Sequence, residues 1–228
     1  MSTIADNIAQ VAARIRAAEQ TAQRAEHSVR LLAVSKTKPS DAVREAYAAG
    51  VRDFGENYLQ EALGKQLELA DLPLIWHFIG PIQSNKTRAI AENFAWVHSV
   101  DRLKIAQRLS EQRPAELPPL NICIQVNVSG EASKSGCTPA DLPALANAIS
   151  ALPRLKLRGL MAIPEPTEDR AAQDAAFATV QKLQASLNLP LDTLSMGMSH
   201  DLESAIAMGA TWVRIGTALF GARTPGHQ

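Results

Sequence analysis

The sequence predicts a single closed (β/α)8 barrel of the TIM class, preceded by one N-terminal helix. Three observations carry that expectation. Short apolar runs rich in Val and Ile alternate with longer Ala-, Gln- and Glu-rich segments of helical period, and eight such runs occur. The run Asn121-Ile-Cys-Ile-Gln-Val-Asn127 is apolar on both faces, which suits a parallel strand covered by helices rather than a sandwich strand with one wet face. At 228 residues the chain has the length of one such barrel, spanning 1–228 as one domain with a short tail at 222–228. A doubly wound open sheet, the competing arrangement, usually carries a G-x-G-x-x-G turn after its first strand, and the chain has none.

The elements follow in order. Ile4, Ile8, Val11 and Ile15 recur at three- and four-residue steps, predicting an amphipathic helix that runs to about residue 27 and packs residues 1–30 on the barrel. The strands are expected at Leu31–Lys36, Asp53–Glu56, Leu74–Gly80, Trp96–Val100, Leu120–Val126, Lys156–Ile163, Thr193–Gly197 and Trp212–Gly221. Helices are expected at Asp41–Ala49, Asn57–Ala70, Thr87–Asn93, Arg102–Gln112, Ala140–Ala151, Glu168–Leu187 and Asp201–Met208. Gly50 and Gly209 sit where helix C-caps fall.

Composition removes several function classes. Lys plus Arg and Asp plus Glu both number 23, so there is no basic surplus for nucleic acid. The most nearly unbroken apolar stretch, Leu72–Ile82, holds Pro73, His77 and Pro81 and falls short of the ~18 residues a membrane helix needs. The mixed charges of the first 30 residues do not resemble a secretory signal, so the expectation is a cytoplasmic protein without nucleic-acid or membrane partners. The two cysteines, Cys123 and Cys137, form no C-x-x-C pattern and read as free thiols. No H-E-x-x-H or close histidine pairing points to a metal, and Gly130-Glu-Ala-Ser-Lys-Ser135 lacks the glycine before the lysine that a Walker loop requires.

Barrel chemistry sits at the C-terminal ends of the strands. Here those ends offer Lys36, Glu56-Asn57, His77, Ser99 with Asp101, Asn127, Met161, Ser195 to Ser199, and Arg214 with Gly216-Thr217. Lys36 is in phase with Leu32 and Val34, and Arg214 with Trp212 and Gly216. If these sets face the axis, a lysine and an arginine enter one cavity, where they require a bound anion or a lysine whose amine is neutral or in covalent use. The alternatives are a solvated lysine and an arginine paired with a carboxylate at the barrel mouth.

Loops after strands seven and eight are the usual phosphate site of this fold, and Ser199 is placed to cap a helix opening at about His200. Asp201 and Glu203 must point away for an anion to sit there. A lysine across from a phosphate cradle suggests a phosphorylated carbonyl compound held as a Schiff base. That compound is either a sugar-phosphate substrate or pyridoxal 5′-phosphate (PLP). His77 is open between a site role and a core histidine.

Several stretches together resemble the pyridoxal phosphate homeostasis proteins. They are Val34-Ser-Lys-Thr-Lys-Pro39, Phe54-Gly-Glu-Asn57, Trp76-His-Phe-Ile-Gly80 with Gln83-Ser-Asn-Lys86, Ser133-Lys-Ser-Gly136, Gly159-Leu-Met161, Ser195-Met-Gly-Met-Ser199 with Asp201, and Val213-Arg-Ile-Gly-Thr217. The resemblance implies a barrel similar to the N-terminal domain of alanine racemase, the architecture of fold type III PLP proteins. It also implies PLP bound as an imine to Lys36, with Ser199, Gly216 and Thr217 on the phosphate. Arg214 would then face the pyridine nitrogen, with Asn57 and His77 beside the ring.

A guanidinium at that nitrogen keeps the ring unprotonated and a weak electron sink. Racemisation further needs an acid or base on the far face of the ring. In racemases a tyrosine of an additional domain serves, whereas here only Tyr58 or His77 is available. The expected function is therefore non-catalytic: a monomeric buffer or carrier in vitamin B6 homeostasis that hands PLP to dependent apoenzymes. A racemase-like enzyme is the alternative.

Overall fold

A computed structural model describes residues 2–131 and 134–222. Eight parallel strands close into a barrel in chain order: β1 (Arg30–Val34), β2 (Asp53–Glu56), β3 (Ile75–Phe78), β4 (Trp96–Val100), β5 (Leu120–Gln125), β6 (Leu155–Met161), β7 (Thr193–Ser195) and β8 (Trp212–Ile215). Closure is made by β1 on β8, with Leu32 opposite Arg214. The helices are α1 (Ile4–Thr21), α2 (Ser40–Ala48), α3 (Leu59–Glu68), α4 (Thr87–Asn93), α5 (Leu103–Gln112), α6 (Leu142–Ser150), α7 (Arg170–Ala185), α8 (Leu202–Ala207) and α9 (Thr217–Phe220). Among the described residues no helix is long and apolar enough to cross a membrane. Ser133 of the Ser133–Gly136 motif and residues 223–228 of the tail lie outside the described residues.

Strand alternation divides the core in two. Outward residues such as Ala33, Phe54, Phe78, Ile122 and Ile124 pack under the helices in one continuous cluster. Inward residues Leu32, Trp96, Cys123, Met161 and Trp212 fill the barrel itself, so its centre is packed rather than hollow. Cys123 and Cys137 are free and buried. Burial pushes their thiols up to about 12 and about 11, which makes both inert as thiolates.

Most boundaries shift by one or two residues, and the two largest departures from expectation have local reasons. α1 opens with a capping box between Thr3 and Asp6 and buries Ile8, Val11, Ile15 and Ala18, but it ends at Thr21 rather than near 27. The buried Glu19 carboxylate accepts the Val29 N–H at 2.9 Å, which folds the chain back into β1. β8 stops at Ile215, not Gly221, because Gly216 leaves the extended region (φ −117°, ψ −76°) and starts α9. α1 is then clamped across the last elements by Asn7 Nδ2 donating to the Leu219 carbonyl (2.8 Å) and Arg24 Nη1 donating to the Ile206 carbonyl (2.9 Å).

Candidate functional site at the C-terminal end of the barrel

Lys36 leaves β1 in the phase of the inward-facing Leu32, and its side chain is partly buried. The backbone on both sides of it is gripped by an ion cluster. Glu56, with no exposed surface, accepts from Ser35 Oγ (2.8 Å) and from Lys65 Nζ (2.7 Å) through Oε1. Lys65 Nζ also donates to the Ser35 carbonyl (2.6 Å) and pairs with Glu61 Oε1 at 2.8 Å. The same Glu61 oxygen accepts the N–H of Thr37, whose φ of 66° is unusual for a β-branched residue. Burial pushes the Glu56 carboxyl upward, against the opposing pull of Lys65. Lys38 lies apart, its Nζ donating to the carbonyls of Gly221 (3.2 Å) and Ala222 (2.9 Å).

Arg214 is 5% exposed and points inward, its Nη1 donating to Ser195 Oγ (2.8 Å) and its Nη2 to the Ala162 carbonyl (3.0 Å). No salt bridge to a carboxylate occurs at Arg214 among the described residues, and burial pulls its pKa down to about 10. The strand pairing runs on past β7, since the Arg214 N–H donates to the Gly197 carbonyl at 2.9 Å. Gly197 has φ 103°, and a Cβ there would stand 2.6 Å from Ala205 Cβ, so only glycine brings this backbone against α8.

The turn that follows differs from expectation. α8 opens at Leu202 rather than His200, Asp201 is its N-cap residue, and Ser199 does not cap it. The Asp201 carboxylate is occupied instead in accepting the Met198 N–H at 2.7 Å, while the Ser199 carbonyl accepts from Arg14 Nη2 at 2.8 Å. Glu203 points away to the Arg14 guanidinium, with both oxygens at 2.9 Å, whereas Asp201 stays within the turn, so of the two carboxylates only Glu203 meets the condition set for an anion there. Gly216 and Thr217 lie next to this turn, at the N-terminus of α9, with Thr217 exposed.

Asn57 follows β2 and borders a cavity of about 380 Å3, with Ile79, Gln125, Lys134, Ile163 and Pro164 on its other sides. That volume lies within the usual range of small-molecule sites. Asn57 Oδ1 is buried without a hydrogen-bond partner among the described residues. Gly80 closes on it from β3, where a Cβ would stand 2.3 Å from the Asn57 carbonyl oxygen.

His77, open between a core role and the ring contact that the resemblance implies, lies in the barrel core with no exposed surface. Its Nε2 is 2.8 Å from Asp53 Oδ1 and its Nδ1 is 2.9 Å from His98 Nε2. The ring stacks on Trp96 with centroids 5.4 Å apart. The reason is register: His77 pairs with Gly55, so it sits one inward-facing layer below Asn57, and Ile79 takes the place at the mouth.

Lys65 and His98 escaped the sequence reading, although each left a signal. Lys65 follows Leu59 and Ala62 on the buried stripe of α3, and His98, with Ser99 beside it, interrupts the apolar run of β4. Among the described residues no group of His, Cys, Asp and Glu is arranged to hold a metal ion.

Comparison with known proteins bears on this arrangement. The family model described as "Alanine racemase, N-terminal domain" matches residues 7–224. A pyridoxal phosphate homeostasis protein of Pseudomonas aeruginosa is 79% identical over 226 residues, covering 99% of this chain and 98% of that one. The Escherichia coli protein of the same name is 54% identical, with 98% of each chain covered. PipY of Synechococcus elongatus, solved with PLP bound, superposes with a TM-score of 0.84 at 43% identity, over 96% of this chain and 100% of that one. Alanine racemase of Corynebacterium glutamicum shares the barrel alone, at 18% identity and a TM-score of 0.66 over 96% of this chain and 62% of that one.

Proposed function

We propose, from the premise that the chain belongs to the pyridoxal phosphate homeostasis proteins, that it binds PLP through Lys36 and acts in vitamin B6 homeostasis as a buffer or carrier. The relatives are named for homeostasis rather than for a reaction, and PipY is a relative with PLP bound. Within this chain one observation carries the reading. The turn holding Lys36 is fixed on both sides by the Glu56–Lys65–Glu61 cluster, and Arg214 is fixed inward from β8 beside β1.

When bound, PLP supplies an aldehyde that condenses reversibly with a primary amine. The chain's own groups account for the rest of the fit. Lys36 offers the amine. Ser199 and Thr217 supply hydroxyls, and Gly216 a backbone N–H, to the phosphate group. Arg214 would face the pyridine nitrogen, where its charge would disfavour protonation of the ring and so work against transamination and decarboxylation. Asn57, whose Oδ1 has no partner among the described residues, would lie beside the ring.

Racemisation would need a second acid or base opposite Lys36, and neither of the two candidates is built into the site as an unengaged, enclosed group. His77 has both nitrogens engaged in the core, and the Tyr58 side chain is 50% exposed. Delivery is exchange of the ligand from Lys36 to another amine, and dependent apoenzymes are the recipients. The protein acts as a monomer in the cytoplasm.

Incubating the loaded protein with an apoenzyme should restore that enzyme's activity as ligand absorption leaves the carrier. Sustained racemisation of single amino-acid enantiomers would overturn the carrier reading. The double variant Ser199→Ala, Thr217→Val should weaken PLP binding at least about tenfold, since it removes two hydroxyl contacts to a dianion. Its melting temperature should stay near wild type, because Thr217 is exposed and Ser199 caps nothing. Unchanged affinity in an absorption titration would move the phosphate elsewhere.

A further inference from the structure

A thread of hydrogen bonds runs through the barrel from one end to the other. Asp53 begins β2, has a side chain 17% exposed, and borders a second cavity of about 350 Å3 at the N-terminal ends of the strands. Its Oδ1 is 2.8 Å from His77 Nε2, and His77 Nδ1 is 2.9 Å from His98 Nε2. His98 Nδ1 is 2.8 Å from Ser195 Oγ, which accepts from Arg214 Nη1 at 2.8 Å. The five residues come from five strands, and His77, His98 and Ser195 have no exposed surface.

The direction of every bond can be deduced. Burial holds both histidines below their ordinary titration range, so each is a neutral imidazole with one donor and one acceptor nitrogen. A carboxylate only accepts, so His77 carries its proton on Nε2 and accepts at Nδ1. His98 must then donate from Nε2 and accept at Nδ1. Ser195 therefore spends its single proton on His98, leaving its lone pairs for Arg214. Polarity runs one way, from Arg214 to Asp53. If Asp53 could no longer accept, both imidazoles could hold their protons on Nδ1 instead. Ser195 Oγ would then face two donors, His98 and Arg214, competing for one oxygen.

Packing alone does not call for such a thread, because apolar side chains fill a barrel centre without desolvating five polar groups. We infer that Asp53, His77, His98 and Ser195 are positioning residues for Arg214, with Asp53 at the far end of the barrel setting the polarity that keeps the guanidinium turned toward bound PLP. The effect on the ligand rests on the assignment of Arg214 to the pyridine nitrogen. The tautomers do not.

The test has a ligand-free and a ligand-bound part. Nitrogen-15 NMR of the ligand-free protein should show both imidazoles neutral and protonated at Nε2, and a proton on Nδ1 of either would overturn the thread. With PLP bound, Asp53→Ala should displace the ligand's absorption maximum and weaken retention by about 2- to 10-fold, the size of one ordinary net hydrogen bond, since the loss reaches the ligand only through Arg214. Asp53→Asn should restore both, because its amide oxygen can accept the same bond. Ser195→Ala, which removes the hydroxyl under Arg214, should reproduce the displacement, and it decides the matter if Asp53→Ala fails to fold. A lowered melting temperature with unchanged spectrum and affinity would reduce the thread to packing and sink the proposal. Failure of the wild type to bind PLP would instead defeat the function proposed above while leaving the NMR result to stand.

Discussion

Replacing Lys36 with alanine is expected to abolish covalent retention of PLP, leaving no borohydride-stable adduct on any tryptic peptide. The argument is one of competition between amines. Lys38 is two residues away, yet its Nζ is engaged by the carbonyls of Gly221 and Ala222. The left-handed turn at Thr37 separates its path from that of Lys36. Lys65 is 6% exposed and committed to Glu56, Glu61 and the Ser35 carbonyl. Among the described residues, Lys36 combines partial burial, inward phase and a backbone fixed on both sides. Lys38→Ala should therefore leave the adduct intact.

The Lys36→Ala protein should stay folded, with stability within about 1 kcal/mol of wild type, because Lys36 is only partly buried. It should still take up PLP weakly through the phosphate and ring contacts. Mass spectrometry of the reduced wild type decides between the lysines, and an adduct on Lys38 would overturn the assignment.

How far the sequence alone reached depends on which physical rule was being used. Alternating apolar runs located all eight strands, even the four-residue β2, because a buried parallel strand has few compositional options. Strand phase also marked Lys36 and Arg214 as a pair, since alternation is a local property. It left the level of His77 open, because height along the barrel axis depends on the stagger between neighbouring strands, which the pairing of His77 with Gly55 sets and no single strand reveals. The thread from Asp53 to Arg214 was hidden for the same reason. Its members stand at positions 53, 77, 98, 195 and 214 and meet only through barrel closure. The ends of α1 and β8 were overrun because Glu19 and Gly216 act on backbone groups outside the hydrophobic pattern.

Lys65→Met should cost the fold about 3–5 kcal/mol, the range for removing one partner of a buried ion pair. For a domain of this size that lowers the melting temperature by roughly 6–20 °C. The loss comes less from the missing lysine than from what remains. Glu56 would keep only the Ser35 hydroxyl as a donor, with Oε2 already lacking a partner and the carboxyl already pushed up by burial.

The sign of the pH dependence follows. A carboxyl whose pKa is raised on folding adds no penalty while it is protonated in both states, and it loses stability as pH climbs from the ordinary carboxylate range through the raised folded value. The variant's deficit should accordingly be small in mild acid and widen toward neutral and alkaline pH, measured by denaturant melts across that range. Pairing it with Glu56→Gln should recover most of the loss, since the amide still accepts from Ser35 and no charge is buried.

The same cluster joins stability to binding. Lys65 Nζ holds the Ser35 carbonyl and Glu61 holds the Thr37 N–H, so the double variant can be restored in stability and still have a loosened Lys36 turn. Slower covalent capture of PLP by a well-folded double variant would identify Lys65 as a residue that positions Lys36. Wild-type capture would confine its role to the core.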